Sequence, residues 1–395
     1  MTLRLHTLAA FTLLSGQALL LGCQPVSPAA ADPEVAPTTA ASERVEPPTT
    51  LTKPAEEHCG MPLDLPDADW PRTLEPNSAE EPSAFVAGST TIAVLPDTQY
   101  YVDCRSPHVK KQAEWLASQR TARNVRAALQ LGDLTENNWR DEWKFLKESL
   151  APLSPSVPLL LATGNHDHGD NGTCNSRSTF FDEFFGVDFA RPSGLLETLS
   201  PTSVENAFYE IALDQVKIGV LTLEWSPRAD AVAWANRILA KYPKHRSIVV
   251  THTYRSHDDS RSNYAAKGDA QKWNPLIYDT AKTPDANTPH DGEMLWQGLI
   301  RKHANVFLVL NGHVLVDGTA QLTSRGDAGQ TIHQMLSNYQ MLDEGGLGYL
   351  RLLELLPDGK TLRVKTYSPS LNRFATAADQ TFSLTVHPPL WPTKK

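Results

Sequence analysis

Five apolar runs in this chain each end in a side chain that can bind a hard metal or transfer a proton, and this recurrence constrains the fold more than any other feature. Residues 91–96 lead to Asp97, and 125–131 lead to Gly132-Asp133. Residues 157–162 lead to Gly164-Asn165-His166-Asp167, 248–250 to His252, and 306–310 to Asn311-Gly312-His313. Short runs of this kind read as strands covered on both faces, as in parallel or mixed sheets. Such sheets bind ligands beyond the carboxyl ends of their strands. The pattern therefore predicts a parallel or mixed sheet whose ends converge on one site.

Helical spacing fills the gaps. Residues 109–120 follow the start signal Ser106-Pro107, and 139–150, 229–240 and 294–302 repeat the pattern. Residues 217–223 read as a sixth strand, and the alternation implies an α/β layered domain. After His313, residues 334–340, 348–356 and 361–367 read as short strands, the last two joined by the turn Pro357-Asp358-Gly359. They are expected to complete a second sheet packed on the first. Arg325-Gly326-Asp327 resembles an adhesive tripeptide, but the better reading is a loop turn.

The 395-residue chain has ordinary soluble composition, with 41% hydrophobic and 21% charged residues. Its formal net charge of −9 disfavours nonspecific nucleic-acid binding, which needs basic surface. Residues 1–22 read as an export signal: Arg4 precedes an apolar stretch, 8–21, too short for a confident membrane span. Leu20-Leu21-Gly22-Cys23 resembles the bacterial lipobox. That resemblance implies cleavage before Cys23, lipid on its thiol, and anchoring to a membrane of the bacterial cell envelope. Gln24 after the Cys, by analogy with enteric bacteria, points to the outer membrane. Residues 23–58 are Pro-, Ala- and Thr-rich and are expected to form a disordered tether. Residues 59–88 are expected to wrap the surface irregularly, leaving 89–390 as the catalytic domain. Export permits disulfides. Cys104 and Cys174, each seven positions after an Asp of the proposed site (Asp97 and Asp167), form the preferred pair, with Cys59 left over.

Carboxylate, amide oxygen and imidazole together suit Mn, Fe or Zn. Asp133 has two oxygens with which to bridge two ions, and ions about 3.5–4 Å apart can hold a phosphoryl oxygen and activate a water. Gly132 and Gly164 allow tight turns before the ligands.

The stretches Asp97-Thr98-Gln99, Gly132-Asp133-Leu134-Thr135-Glu136-Asn137, Gly164-Asn165-His166-Asp167, His252 and Gly312-His313 resemble, in order and spacing over about residues 90–315, the calcineurin-like metallophosphoesterase family. The resemblance implies a two-sheet αββα sandwich. It also implies one divalent ion on Asp133, Asn165, His252 and His313, and a second on Asp97 and Asp133. Gln99 and Leu315 stand where the family normally has His. The second position therefore takes a harder ion through oxygen, stays empty in a one-ion enzyme, or borrows a ligand such as His168 or His108. His166 resembles the family residue that gives a proton or hydrogen bond to the reacting phosphate, with Asp167 expected to orient it. The implied reaction is in-line attack by metal-activated water on a phosphate monoester or diester, His166 helping the leaving alkoxide.

The alternative is a catalytically degenerate cell-surface binding protein on the same fold. A protease or glycosidase is disfavoured, for there is no His-Glu-x-x-His sequence and no serine nucleophile elbow. Around the site, Tyr254-Arg255 either reaches substrate phosphate or faces solvent. Tyr100-Tyr101 either walls the site or packs beneath it. The long polar stretch 253–289, anchored by Trp273 and Tyr278, is where specificity is expected.

Overall fold

The computed structural model describes residues 71–392 except 155 and 284–286. The export signal, the tether, Cys23 and Cys59 lie outside the described residues.

Strands β1 (Asn77–Ser78), β2 (Thr90–Leu95), β3 (Val125–Gln130) and β4 (Leu159–Leu161) begin one sheet. The chain then builds a second from β5 (Leu195–Ser200), β6 (Ser203–Ala212), β7 (Lys217–Thr222), β8 (Arg246–Val250), β9 (Val306–Asn311), β10 (Thr319–Arg325) and β11 (Thr331–Ser337). It returns to the first with β12 (Leu350–Leu355), β13 (Thr361–Ser368), β14 (Arg373–Ala375) and β15 (Phe382–Thr385). The helices are α1 (Gln99–Asp103), α2 (His108–Gln119), α3 (Arg140–Leu150), α4 (Phe181–Phe185), α5 (Val187–Ala190), α6 (Ala229–Lys241), α7 (Tyr264–Lys267) and α8 (Gly292–Gly298).

The first sheet runs β1-β14-β13-β12-β2-β3-β4, with β15 on β13, and the second β10-β11-β9-β8-β7-β6-β5. Strands β2, β3 and β4 are parallel, as are β7, β8 and β9. The strand period of two sorts side chains between layers. Val220, Ile248 and Leu308 join the large core shared with β2, β3 and β12. Their neighbours Leu221, Val249 and Val309 pack with Val232 and Ile238 of α6 and Leu295 of α8. Val109, Ala113 and Leu116 of α2 and Trp143 and Leu146 of α3 cover the first sheet. The architecture is the expected αββα sandwich.

Two expectations change. The five apolar runs do not share one sheet: β2, β3 and β4 belong to the first and β8 and β9 to the second. The strands after residue 348 complete the first sheet rather than the second, with β12 antiparallel to β2 through Leu352↔Ala93 and Leu353↔Ile92. Every residue of β2 and β12 is buried, so a solvated edge on β2 would leave its backbone groups unpaired, and β12 closes that edge.

The described part of the expected irregular wrap is not wholly irregular, since β1 pairs with β14. Glu81 from the same segment pairs with Arg123 and with Lys365, whose side chain is only 1% exposed. A buried ammonium needs such partners. Arg325 ends β10 and Gly326-Asp327 open the turn to β11, where Gly326 N donates to Gln330 O at 3.0 Å. The expected Cys104 to Cys174 disulfide is not formed. Cys174 turns into the interior, its Sγ 3.3 Å from Thr280 Oγ1, and burial pushes its thiol up to about 11.

Candidate metal centre

Three strand ends from one sheet and two from the other meet through very short backbone approaches. A Cβ on Gly164 would lie 2.2 Å from Asp133 N and Oδ1, and one on Gly312 would lie 2.0 Å from Asp97 Oδ1. Only glycine lets these loops close on the carboxylates. Gln130 braces the turn after β3, its Oε1 accepting from Gly132 N at 2.6 Å and its Nε2 donating to Gly132 O at 2.9 Å.

Asp133 stands at the centre. Its Oδ1 accepts from His166 N at 2.9 Å, and its Oδ2 lies 3.1 Å from His252 Nε2. One donor atom from each of Asp133, His252 and His313 falls within 4.8 Å of the others, and all three residues are buried. His252 Nδ1 donates to Leu131 O at 2.8 Å, which leaves Nε2 for the centre. His313 Nε2 donates to Trp273 O at 3.1 Å, with Tyr278 Oη 3.3 Å away, which leaves Nδ1. A carbonyl on the far nitrogen is the usual support of a metal-binding imidazole. Asn165 Oδ1 is buried and has no hydrogen-bond partner. These four donors fit a divalent ion that accepts both nitrogen and oxygen.

The charges agree with that fit. Burial, then the charge of His252, holds His313 down to about 3, so its ring is neutral and its lone pair free. Burial also acts against charge on His252, but Asp133 and then Asp97 outweigh it and raise the ring to about 9. Burial works against the Asp133 carboxylate too, yet His252 and His166 keep it well below the usual range. An arriving cation takes the place of the His252 proton.

His166 is the more open residue, its side chain 30% exposed. Its Nδ1 lies 3.0 Å from Glu136 O and 3.4 Å from Glu136 Oε2. Burial opposes its charge, but Glu136 and then Asp133 raise it to about 9. Asp167 does not contact His166 in this way. Its carboxylate accepts from Gly164 N at 2.8 Å, Leu134 N at 3.1 Å, Thr135 N at 2.9 Å and Thr135 Oγ1 at 3.0 Å. Asp167 therefore ties the Asp133 loop to the Asn165 loop, and Glu136 takes the expected orienting role.

At the second position, Asp97 is buried and both its oxygens face His313 N, at 3.3 and 3.0 Å. Burial, then the Asp133 charge, raises it to about 8 against the pull of His252. Gln99 is fully buried, and neither of its amide atoms has a hydrogen-bond partner. Leu315 packs with Tyr339, Met341 and Leu342 in a separate apolar cluster. Neither candidate histidine compensates. His108 bonds Ser370 Oγ at 2.6 Å and Glu344 Oε2 at 2.9 Å, and His168 lies 3.5 Å from Glu205 Oε1.

The surrounding aromatic residues divide. Tyr100 is half-buried, and after burial the nearby Glu136 and Asp133 charges raise its pKa, which places it at the site. Tyr101 packs beneath, its Oη accepting from Gly348 N at 2.9 Å. Tyr254 and Arg255 are both buried, so the solvent-facing alternative does not hold, and Arg255 Nη2 reaches Asp259 at 3.3 Å. Trp225 is a wall residue absent from the sequence reading: its ring centroid lies 5.6 Å from His252, 5.0 Å from His313 and 5.1 Å from Tyr278. The available signal was the sixth run, 217–223, which ends at Glu224-Trp225.

No protein-family model matches the chain. An uncharacterized protein of Bacillus subtilis (strain 168), YvnB, is 27% identical over 294 residues, covering 71% of this chain and 20% of that protein. The chain thus spans about a fifth (20%) of the relative's length. Among solved structures, the purple acid phosphatase PPD1 from yellow lupin (Lupinus luteus) seeds has a TM-score of 0.44 at 14% identity, over 77% of this chain and 55% of that one. GAP50, the anchor in the inner membrane complex of Plasmodium, gives 0.39 at 12% identity over 78% and 90%. The Haemophilus influenzae NAD nucleotidase NadN gives 0.36 at 9% identity over 75% and 50%. Likeness this slight leaves the functional reading to the chain's own residues.

Proposed function

We propose that the chain is a metal-dependent phosphoesterase that hydrolyses a phosphate monoester or diester. The observation that carries this is the convergence of donor atoms of Asp133, His252 and His313, with the buried, unpartnered Asn165 Oδ1 and the partly exposed His166 on the adjoining loop. A divalent Mn, Fe or Zn ion held there supplies Lewis acidity toward a phosphoryl oxygen and lowers the pKa of water.

The protein groups do the rest. The backbone carbonyl of Glu136 occupies His166 Nδ1, which leaves Nε2 to donate. The Glu136 carboxylate, 3.4 Å from the same nitrogen, and then Asp133 keep the ring protonated at neutral pH, so His166 can pass a proton to the departing alkoxide. Asp167 holds the loops that set Asp133 and Asn165 at their spacing.

The test is hydrolysis of p-nitrophenyl phosphate and bis-p-nitrophenyl phosphate across a metal panel, with and without chelator. Activity should follow the metal, and His166→Ala should keep the metal while losing about 10²–10⁴-fold in turnover. An active protein that contains no metal and ignores chelator would sink the reading. The second reading, a binding protein on the same fold, draws on Gln99 and Leu315 in place of imidazoles; a metal-loaded chain inert toward both esters would favour it.

We also propose export and lipid anchoring through Cys23 to a bacterial envelope membrane, with Gln24 supporting the outer one. Cys23→Ser should release the protein from the membrane fraction, and unchanged fractionation would refute the anchor.

A further inference from the structure

A buried imidazole outside the metal centre has a hydroxyl on one nitrogen and a carboxylate on the other. His108, the first residue of α2, has a side chain only 5% exposed. Its Nδ1 lies 2.6 Å from Ser370 Oγ, and its Nε2 lies 2.9 Å from Glu344 Oε2. A carboxylate only accepts, so Nε2 carries the ring hydrogen and Nδ1 accepts from the Ser370 hydroxyl. Burial holds the ring below its usual value against the pull of Glu344, so it rests neutral, as a general base must.

Three distant stretches bring these groups together. Ser370 is half-buried in the turn between β13 and β14, and Glu344 stands on the loop between β11 and β12. Residues 344–348 of that loop all have positive φ, and for Glu344 and Leu347 this is strained backbone of the kind that collects at functional sites. A Cβ on Gly348 would lie 2.6 Å from Ser370 Oγ and 3.2 Å from His108 Nδ1, so glycine there lets the hydroxyl and the ring meet. His333 shows the contrast. Thr323 Oγ1 faces one of its nitrogens at 2.8 Å, but a backbone carbonyl, Thr385 O, faces the other at 3.0 Å. A carbonyl fixes a ring without supplying the negative charge that stabilises an imidazolium.

We propose that Ser370, His108 and Glu344 form a second, metal-independent site that hydrolyses carboxylic esters through an acyl-serine. Such a set is defined by geometry and roles rather than chain order; here the ring nitrogens are exchanged relative to the usual arrangement, in which serine bonds Nε2. Ser370 Oγ attacks the ester carbonyl carbon as its proton passes to His108 Nδ1. The bond from that carbon to the alcohol oxygen then breaks, and His108 gives the proton to the departing alkoxide. Water hydrolyses the acyl-serine by the same exchange, which releases the acid and restores Ser370. Glu344 is a positioning residue that holds the ring and offsets its charge. Ser370 sits in a turn between two strands, so its sequence carries no strand-to-helix elbow motif.

The test uses the full chain in excess chelator. A fluorophosphonate probe, which loses fluoride as it bonds an activated serine, is applied, and p-nitrophenyl acetate hydrolysis is followed. The adduct should map by mass spectrometry to Ser370, and Ser370→Ala should lose both labelling and turnover. His108→Gln should slow both by about 10²-fold or more. Glu344→Gln, at a side chain 69% exposed, should lower kcat by less and leave KM unchanged, a split that a merely structural carboxylate would not give. Far-UV spectra and thermal midpoints confirm folding, and Glu344→Gln carries the test should the buried His108 variant fail to fold. No adduct on Ser370 beyond that of the heat-denatured chain, or wild-type labelling rates in the folded variants of His108 or Glu344, overturns the proposal. Phosphate-ester hydrolysis uses none of these three residues, so the metal-dependent reading is decided separately.

Discussion

Asp167→Ala distinguishes a residue that orients His166 from one that ties two loops together. The carboxylate is fully buried and accepts three backbone N–H groups, from Gly164, Leu134 and Thr135, plus the Thr135 hydroxyl. Truncation leaves those N–H groups without an acceptor, at about 1–3 kcal/mol each. Water entering the hollow offsets part of this, so the loss should be about 3–5 kcal/mol. For a domain this large, with about 2 °C per kcal/mol, the thermal midpoint should fall by about 6–10 °C. Zn²⁺ affinity should fall as well, because the lost bonds set the spacing of Asp133 and Asn165. The pH dependence of residual turnover should move only slightly, since Glu136 still holds His166 and Asp167 is the last of the charges that raise it. Scanning calorimetry, Zn²⁺ titration and a pH–rate profile measure the three effects. A variant with an unchanged midpoint and a displaced pH profile would refute the reasoning and return the orienting role to Asp167.

Glu136→Gln should act the other way. Removing the foremost of the charges that together outweigh burial lowers the His166 pKa from about 9, so the alkaline limb, where His166 loses its proton, should move to lower pH. A limb that does not move would remove His166 as the acid. Burial, then the Arg177 charge, holds His168 down to about 3, although its unfolded value is near 6.5. The folded state therefore resists protonation, and stability should be full above about pH 6.5 and fall as pH drops toward 3. Urea midpoints across that range should decline less steeply in His168→Gln, and parallel declines would exclude His168 as the cause.

The parts of the molecule that could be read from sequence are those where one physical demand acts alone. A strand buried on both faces must be apolar throughout, so β2, β3, β7, β8 and β9 stood out, and the polar residues closing those runs marked the site. Strand β5 has no buried position, β6 mixes buried with half-buried ones, and α4 and α5 are only five and four residues long, so neither period could declare itself. Sheet membership was hidden because β12 satisfies the edge of β2 from far along the chain. The most instructive error is local. His166 and Asp167 are adjacent in sequence, and adjacency was taken for contact. In the folded loop Asp167 turns inward to backbone donors, while Glu136, thirty positions before His166, reaches its ring. Equal spacing misled in the same way for Cys104 and Cys174. The candidate ligands Asp133, His252 and His313 come together because each lies within three residues of the end of a buried strand, so their placement follows from the strands. The residues that orient those ligands lie one layer out, on loops, where chain order says little about direction. Gln99 is on the boundary between the two cases: its sequence position shows which imidazole is missing, and its unpaired burial is visible only in the fold.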